Sequence, residues 1–288
     1  MKKFDASNIK QGGMTASIPS DAAAMNTDLD AQNLLDRVYI GDTAGNLYRF
    51  DIDDADPDKW SGGRIAQLAE SGVPTKILFA PAMVKQQEMV SNATVAFDAV
   101  YVASGDREHP LKVSGTADKV FMIKDTPLVD SGYVLDAKLA NLVDITSVGS
   151  ADAYAKLNSS STKGWYYKLP GAGEKVVSMP TVLNNVLRFG SYSPLENINS
   201  CVPSGRGQLY GMDALGGFPL DPVKYKMLPS NPRIFAGFYS QGYIGNAVPI
   251  IFNGRMYVLQ VTESGQILPG ASSVGSVAKV YWYREAER

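Results

Sequence analysis

A short module of β-strands recurs along the chain and limits the folds open to it. Its clearest copy is residues 37–42 and 47–51, two β-rich runs joined by a glycine turn. The alternation predicts a hairpin with Val38 and Ile40 on one face and Tyr39 on the other. Three later pairs of runs have the same form: 100–105 with 120–125, 187–191 with 207–213, and 256–259 with 280–283. The sequence therefore predicts an all-β fold.

A proline lies in the predicted strand before each of these hairpins. The four are Pro19, Pro81, Pro180 and Pro249. Because proline cannot donate to a sheet ladder, it belongs at an edge or at a strand start. The recurrence indicates that the four prolines occupy equivalent positions in their modules, such as the innermost strand near a central axis. Four such modules favour a modified β-propeller with quinoprotein-like blades, incomplete in this chain at about four blades. An irregular β-sandwich is the alternative.

Composition excludes several classes of protein. The chain has 288 residues, and its 27 basic and 29 acidic residues give a net charge of -2, which argues against nucleic-acid binding. No apolar run approaches the roughly 20 residues of a membrane-spanning helix. The single cysteine, Cys201, excludes an intrachain disulfide and a cysteine-rich zinc site, and His109 is the only histidine. The first residues are not a secretory signal, so either the protein stays inside the cell or this chain is the back portion of a longer exported protein. The family resemblance described below favours the second alternative.

An acidic loop of nine residues, 28–36, precedes the first hairpin directly. Oxygen side chains occupy its positions 1, 3, 5 and 9, and the backbone carbonyl of position 7 can point inward, which together form a ligand set for calcium. These positions are Asp28, Asp30, Gln32, Leu34 and Asp36. Position 12 would be Tyr39, inside the strand, so the loop is not an EF-hand. A solvated acidic turn, in which the aspartates cap local backbone groups, is the alternative.

The loop and hairpin together resemble the C-terminal domain of PilY-type type IV pilus biogenesis factors. The resemblance is carried by residues 28–42 and 45–51, then by 104–110 with 121–125, and by 282–285. It spans roughly residues 18–288 and leaves residues 1–17 as an N-terminal arm or the remnant of a preceding blade. It implies a modified propeller with a calcium loop in an exported protein of the cell envelope or exterior.

The resemblance also implies a function and a set of partners. Members of this family act in pilus extension and retraction, surface adhesion and twitching motility. The expected partners are a pilin or minor pilins, together with a host or abiotic surface. Residue by residue, the calcium ligands carry over to Asp28, Asp30, Gln32, the Leu34 carbonyl and Asp36. The family usually has Asp or Asn at position 5 and Gly at position 6. Gln32 and Asn33 depart from that pattern, which lowers the expected affinity.

Two other functions stay open on the sequence. A quinoprotein-like propeller enzyme would need a pocket lined by His109, although the adjacent cysteines of those enzymes are absent. A carbohydrate-binding propeller would show aromatic residues such as Trp60 or Trp165 on one rim. Residues 105–108 instead favour a loop tied by an arginine–carboxylate pair. We therefore expect a non-enzymatic, calcium-binding pilus assembly and adhesion factor.

Overall fold

The computed structural model is built almost entirely of β-strands, as the sequence predicts. Apart from single residues, the helices among the described residues are two 3-10 turns, Pro57–Lys59 and Leu139–Asn141. No helix in this part of the chain is long and apolar enough to cross a membrane. The structure describes residues 2–27, 34–70, 73, 75–90, 92–113, 116–126, 136–147, 157, 162–194, 205–217, 234–252, 255–262, 265 and 267–268.

The strands are numbered β1 to β18 along the chain. The first nine are β1 Ala23–Met25, β2 Arg37–Gly41, β3 Asn46–Asp51, β4 Ser61–Gln67, β5 Ala82–Val90, β6 Ala93–Ala103, β7 Lys119–Asp125, β8 Ala137–Lys138 and β9 Val143–Asp144. The others are β10 Gly164–Lys168, β11 Lys175–Val176, β12 Thr181–Leu183, β13 Val186–Pro194, β14 Gly205–Asp213, β15 Ile234–Gln241, β16 Val248–Phe252, β17 Arg255–Val261 and β18 Ile267–Leu268.

Within the described residues, the strands form four sheets that follow the order of the chain. Sheet 1 has the order β1-β2-β3-β4-β8, and sheet 2 the order β5-β6-β7-β10-β9. Sheet 3 runs β11-β13-β14-β15, with β12 also paired to β13, and sheet 4 runs β16-β17-β18. Each sheet is built mainly from antiparallel neighbours close in sequence, which is what recurring hairpins produce.

Three of the four predicted hairpins are confirmed, and the four prolines lie in or before the strands that precede the hairpins. β2 pairs with β3, β6 with β7 and β13 with β14, all antiparallel, while residues 280–283 lie outside the described residues. Pro81 and Pro180 immediately precede β5 and β12, Pro249 lies in β16, and Pro19 lies upstream of β1. Each of these four strands stands at an edge of its sheet, where the missing N–H costs no ladder hydrogen bond.

Asp42 fixes the turn between β2 and β3. Its buried carboxylate accepts hydrogen bonds from the backbone N–H of Ala44 at 2.9 Å, from that of Asn46 at 2.8 Å and from the Tyr48 hydroxyl at 2.9 Å. Gly45 supplies the positive φ of the turn, 77°. A short polar segment of sequence thus sets the register of the whole hairpin.

Two hydrophobic cores lie on opposite faces of sheet 2. Tyr101 on β6 belongs to a core shared with Phe189 and Tyr210 of sheet 3. Its neighbours along β6, Val100 and Val102, face the other way and pack into a core with residues of sheet 1. Sheet 2 is covered on both faces. For this reason the last part of β6, residues 99–103, is continuously apolar and does not alternate between polar and apolar residues.

The first three sheets are joined in series by backbone hydrogen bonds at one end. These run from the Ile77 N–H to the Asp42 carbonyl, from the Gly105 N–H to the Lys76 carbonyl, and from the Val176 N–H to the Ser104 carbonyl. The connecting segments between the sheets therefore meet along one line. The residues that follow β6 and precede β11 are brought together there.

Candidate calcium loop and its charged support

The base of the acidic loop is fixed by hydrogen bonds between its two ends. The carboxylate of Asp36 accepts from the Thr27 N–H, at 2.9 Å to Oδ1 and 2.8 Å to Oδ2, and from the Thr27 hydroxyl at 2.7 Å. The Asp36 N–H donates to the Met25 carbonyl at 3.1 Å, and the Asp36 carbonyl accepts from the Ile52 N–H at 2.7 Å. The position-9 carboxylate is therefore oriented before any ligand arrives.

The structure describes residues 34–36 of the nine-residue acidic loop. Asp28, Asp30 and Gln32 lie outside the described residues. None of the residues that the structure describes donates a hydrogen bond to the Leu34 carbonyl, so this oxygen can turn toward a metal ion. The Leu34 side chain is 64% exposed, as expected if the residue acts through its backbone. Carboxylate and carbonyl oxygens are the donors that calcium takes.

Immediately after Asp36, β2 and β3 carry charged side chains into the interior. Arg37 Nε lies 3.0 Å from Asp51 Oδ1, and Arg49 Nη2 lies 3.1 Å from Asp51 Oδ2. Arg37 stands opposite Asp51 in the hairpin register, and Tyr39 stands opposite Arg49. One aspartate therefore binds two arginines on the face that meets sheet 2.

Sheet 2 supplies the matching acids. Asp98 on β6 and Asp125 on β7 stand opposite each other in the strand register and are 2% and 1% exposed. Arg49 Nη1 donates to Asp125 Oδ1 at 2.9 Å, and Arg37 binds Asp98. The Tyr39 hydroxyl donates to Asp125 at 2.7 Å. These six residues, Arg37, Tyr39, Arg49, Asp51, Asp98 and Asp125, form the charged junction between the two sheets.

Burial and charge shift the pKa values of the groups in the charged junction. Burial raises the pKa of Asp125, although the Arg49 charge and the Tyr39 hydroxyl act in the opposite direction. Burial, with the neighbouring charges of Asp125 and Asp98, also raises the pKa of Tyr39. Burial disfavours the charged form of Arg49, but Asp125 and Asp51 outweigh it and raise its pKa. The arginines therefore stay charged, and the junction is an ionic contact.

The loop at residues 104–110 differs from its prediction. Lys76, and not Arg107, ties the loop: its Nζ lies 3.0 Å from Asp106 Oδ1 and 2.8 Å from Glu108 Oε2. The guanidinium of Arg107 instead lies over the Phe79 ring, 4.9 Å from its centroid. The predicted arginine–carboxylate pair is wrong, because Lys76, from the connection between sheets 1 and 2, binds both carboxylates.

His109 lines a cavity, but it is not paired with a nucleophile. Its Nδ1 lies 3.0 Å from Asp106 Oδ2, and its side chain is 63% exposed. Ser104, in the same cavity wall, donates to Asp118 Oδ1 at 2.7 Å. The serine and the histidine therefore bind different carboxylates, which is not the arrangement of a serine nucleophile and its base.

The rim aromatics predicted for a carbohydrate-binding protein are not both at the surface. Trp165 is fully buried and belongs to the core between sheets 2 and 3. Its Nε1 donates to the Leu215 carbonyl at 2.9 Å. Trp60 is partly exposed, and its Nε1 donates to the Asp54 carbonyl at 2.7 Å. Trp165 therefore does not supply the exposed rim aromatic that the carbohydrate-binding alternative requires, because its ring fills the space between two sheets.

Together, a series of antiparallel sheets and a loop held at the first hairpin define the class: an all-β domain similar to PilY-type C-terminal domains. In structure, the chain is similar to the crystal structure of the Pseudomonas aeruginosa PilY1 C-terminal domain, with a TM-score of 0.58 and 15% identity, covering 86% of this chain and 59% of that one. In sequence, it is 26% identical over 207 residues to the type IV pilus biogenesis factor PilY1 homolog of Xylella fastidiosa.

That alignment covers 66% of this chain and 14% of the Xylella protein, so the chain spans a small part of the curated relative. No family model matches the chain. The predicted resemblance to PilY-type C-terminal domains is confirmed by both likenesses.

Proposed function

We propose that the loop at residues 28–36 binds one calcium ion. Asp28, Asp30, Gln32, the Leu34 carbonyl and Asp36 would be its ligands. The observation that carries the proposal is the orientation of Asp36 by Thr27 at the base of a loop with two further aspartates. A bound calcium ion would neutralise carboxylates that otherwise repel one another.

The proposal extends to the protein as a whole. It acts as a non-enzymatic type IV pilus assembly and adhesion factor of the cell envelope or exterior, in pilus extension and retraction, surface attachment and twitching motility. Its partners are a pilin or minor pilins and a host or abiotic surface. The name of the Xylella relative supports the link to pili. The four sheets, each with a proline at or before its edge strand, support a modified propeller of about four blades.

Calcium is expected to raise the melting temperature of the purified chain. Metal that binds only the folded loop stabilises by mass action, by about 2.7 kcal/mol at roughly one hundred times Kd, which is a shift on the order of 5 °C. The measurement is thermal unfolding with calcium and with a chelator. In Asp36→Ala, the calcium-dependent shift should disappear.

Asp54→Ala is the matched control, because Asp54 lies in another acidic loop, where it pairs with the exposed Lys59 at 2.9 Å. This variant should keep the full calcium-dependent shift. An equal shift in wild type and Asp36→Ala, or no shift in wild type, would contradict the calcium site.

The pilus function predicts that the chain binds type IV pili sheared from the bacterium that encodes it. Immobilised chain should retain these pili in calcium, and the amount retained should fall severalfold in chelator and in Asp36→Ala, because the loop then loses its fixed shape. The Asp54→Ala variant should bind like wild type. If wild type and an unrelated β-protein retain equal amounts of pili, the pilus function is contradicted, whereas the calcium site is not.

A further inference from the structure

A polar cavity of about 330 Å³ lies where the segments that join the first three sheets meet. Its walls come from residues 73, 75 and 76 after sheet 1, from residues within 104–112 and 116–118 between β6 and β7, and from Lys119 and Lys175 at the starts of β7 and β11. Ligand sites are usually concave spaces of about 300–1,000 Å³ with a few convergent polar groups. The cavity is thus large enough for a small molecule, and it is separate from the acidic loop in sequence.

Four lysines line the cavity, and two of them have carboxylate partners. Lys76 binds Asp106 and Glu108, and Lys119 Nζ lies 3.1 Å from Glu70 Oε1. The remaining two are Lys112 and Lys175. Within the part of the chain that the structure describes, no carboxylate lies within 4.0 Å of either ammonium group. Neither of these two ammonium groups is therefore in a contact ion pair, and Asp118 in the same wall acts on Lys175 only from a longer distance.

Lys175 is the more unusual of the two. The residue is 2% exposed, and its ammonium donates to the backbone carbonyls of Lys112 and Gly173. An ammonium group has three protons, so one is left over. Burial lowers the pKa of Lys175, against the more distant charges of Asp118 and Asp106. Burying a cation without a carboxylate in direct contact is costly, and a ligand carboxylate that accepts the third proton would offset that cost.

The cavity wall also contains two carboxylate acceptors, Asp106 and Asp118. Asp106 Oδ1 is buried and lies 3.0 Å from Lys76 Nζ, and a carboxylate oxygen has capacity to accept a further hydrogen bond. Asp118 accepts from the Ser104 hydroxyl, and burial raises its pKa. A molecule that carries only negative charge would meet these acids unfavourably. One that also carries a hydrogen-bond donor would satisfy both kinds of group.

We propose that this cavity binds a small carboxylate that also carries a hydroxyl or ammonium group, with the carboxylate at Lys175 and Lys112 and the donor at Asp106. This site goes beyond the pilus function and does not depend on calcium. It combines residues from three separate segments of sequence, so no local motif marks it.

The test is calorimetric titration of the whole chain with D-glycerate and L-serine, compared with propionate and glycerol. Propionate has the carboxylate without the donor, and glycerol has the hydroxyls without the charge. At least one of glycerate and serine should bind with a Kd on the order of 1 mM or lower, and both controls should bind at least about tenfold more weakly, since each lacks a hydrogen bond to a charged group.

Variants test the placement of the carboxylate and the donor. Lys175→Met and Lys112→Met should each weaken the better-bound probe by about tenfold. Asp106→Asn should also weaken it. Lys59→Met removes an exposed lysine outside the cavity and should leave the Kd unchanged. Because Lys112 is exposed, its variant keeps the test decisive if Lys175→Met fails to fold. No heat from either probe at about 10 mM, or equal affinities in Lys112→Met and wild type, would overturn the site.

Discussion

Replacing Asp125 with alanine is expected to lower the free energy of unfolding by about 3–5 kcal/mol, because breaking a buried ion pair leaves an uncompensated charge. Arg49 would lose its partner at 2.9 Å, while its contact with Asp51 at 3.1 Å remains. The Tyr39 hydroxyl would be left with the more distant Asp98 oxygen, at 3.3 Å. The arginine side chain is 6% exposed, so water cannot replace the lost carboxylate.

Urea unfolding at neutral pH measures this loss. Asp54→Ala is the control, and it should change stability by no more than about 0.5 kcal/mol, as is usual at an exposed position. A double variant, Arg49→Met with Asp125→Leu, should recover part of the loss, because removing both charges is far cheaper than removing one. If Asp125→Ala costs less than about 1 kcal/mol, the charged junction does not hold the two sheets together.

The charged junction bears on the calcium proposal because Arg37 directly follows Asp36. The arginine is fixed by Asp51 and Asp98, and the aspartate by Thr27. Both ends of the acidic loop are therefore anchored to sheet 1 by contacts that need no metal. Anchors that form without metal lower the conformational cost of binding calcium.

The hairpins and edge strands could be predicted because their causes are local. The alternation of Val38, Tyr39 and Ile40 reflects the period of a strand, and a proline at an edge reflects a missing N–H. Tyr39 is fully buried, whereas Val38 and Ile40 contact a smaller cluster on the other face of sheet 1. Such features follow from the properties of neighbouring residues alone.

The charged junction could not be predicted, because it depends on which sheets pack together. Arg37 and Asp98 are 61 positions apart, and Arg49 and Asp125 are 76 apart. The sequence does contain a signal, since β3 and β7 carry charged residues, Arg49 and Asp125 among them, beside residues typical of a buried strand. A buried charge needs a partner, but the identity of that partner is a property of the tertiary structure.

The acidic loop and the loop at residues 104–110 could be predicted only in part. The ligand positions of the acidic loop follow from spacing, and they stay a prediction. The hydrogen bonds from Thr27 to Asp36 could have been inferred, because threonine often caps the ends of a turn. The contacts of Lys76 with Asp106 and Glu108 could not have been inferred, since Lys76 comes from a different connection, the one between sheets 1 and 2.

Replacing Trp165 with alanine is expected to destabilise the chain by about 3–5 kcal/mol, the usual cost of truncating a large buried aromatic residue. The ring is fully buried between sheets 2 and 3, 6.4 Å from the Tyr101 ring centre to centre. It also lies against Gly217, which follows β14. Truncation would open a cavity and leave the Leu215 carbonyl without its indole donor.

Trp60→Ala is the matched control, because Trp60 is only partly buried and closes an exposed loop through the Asp54 carbonyl. It should cost about 1 kcal/mol or less, since a water molecule can take over that hydrogen bond. Both variants are compared by urea unfolding. Equal losses in the two would mean that Trp165 does not link sheets 2 and 3. A small loss in Trp165→Ala, combined with loss of glycan binding, would instead restore the carbohydrate-binding alternative, since it would place the indole at the surface.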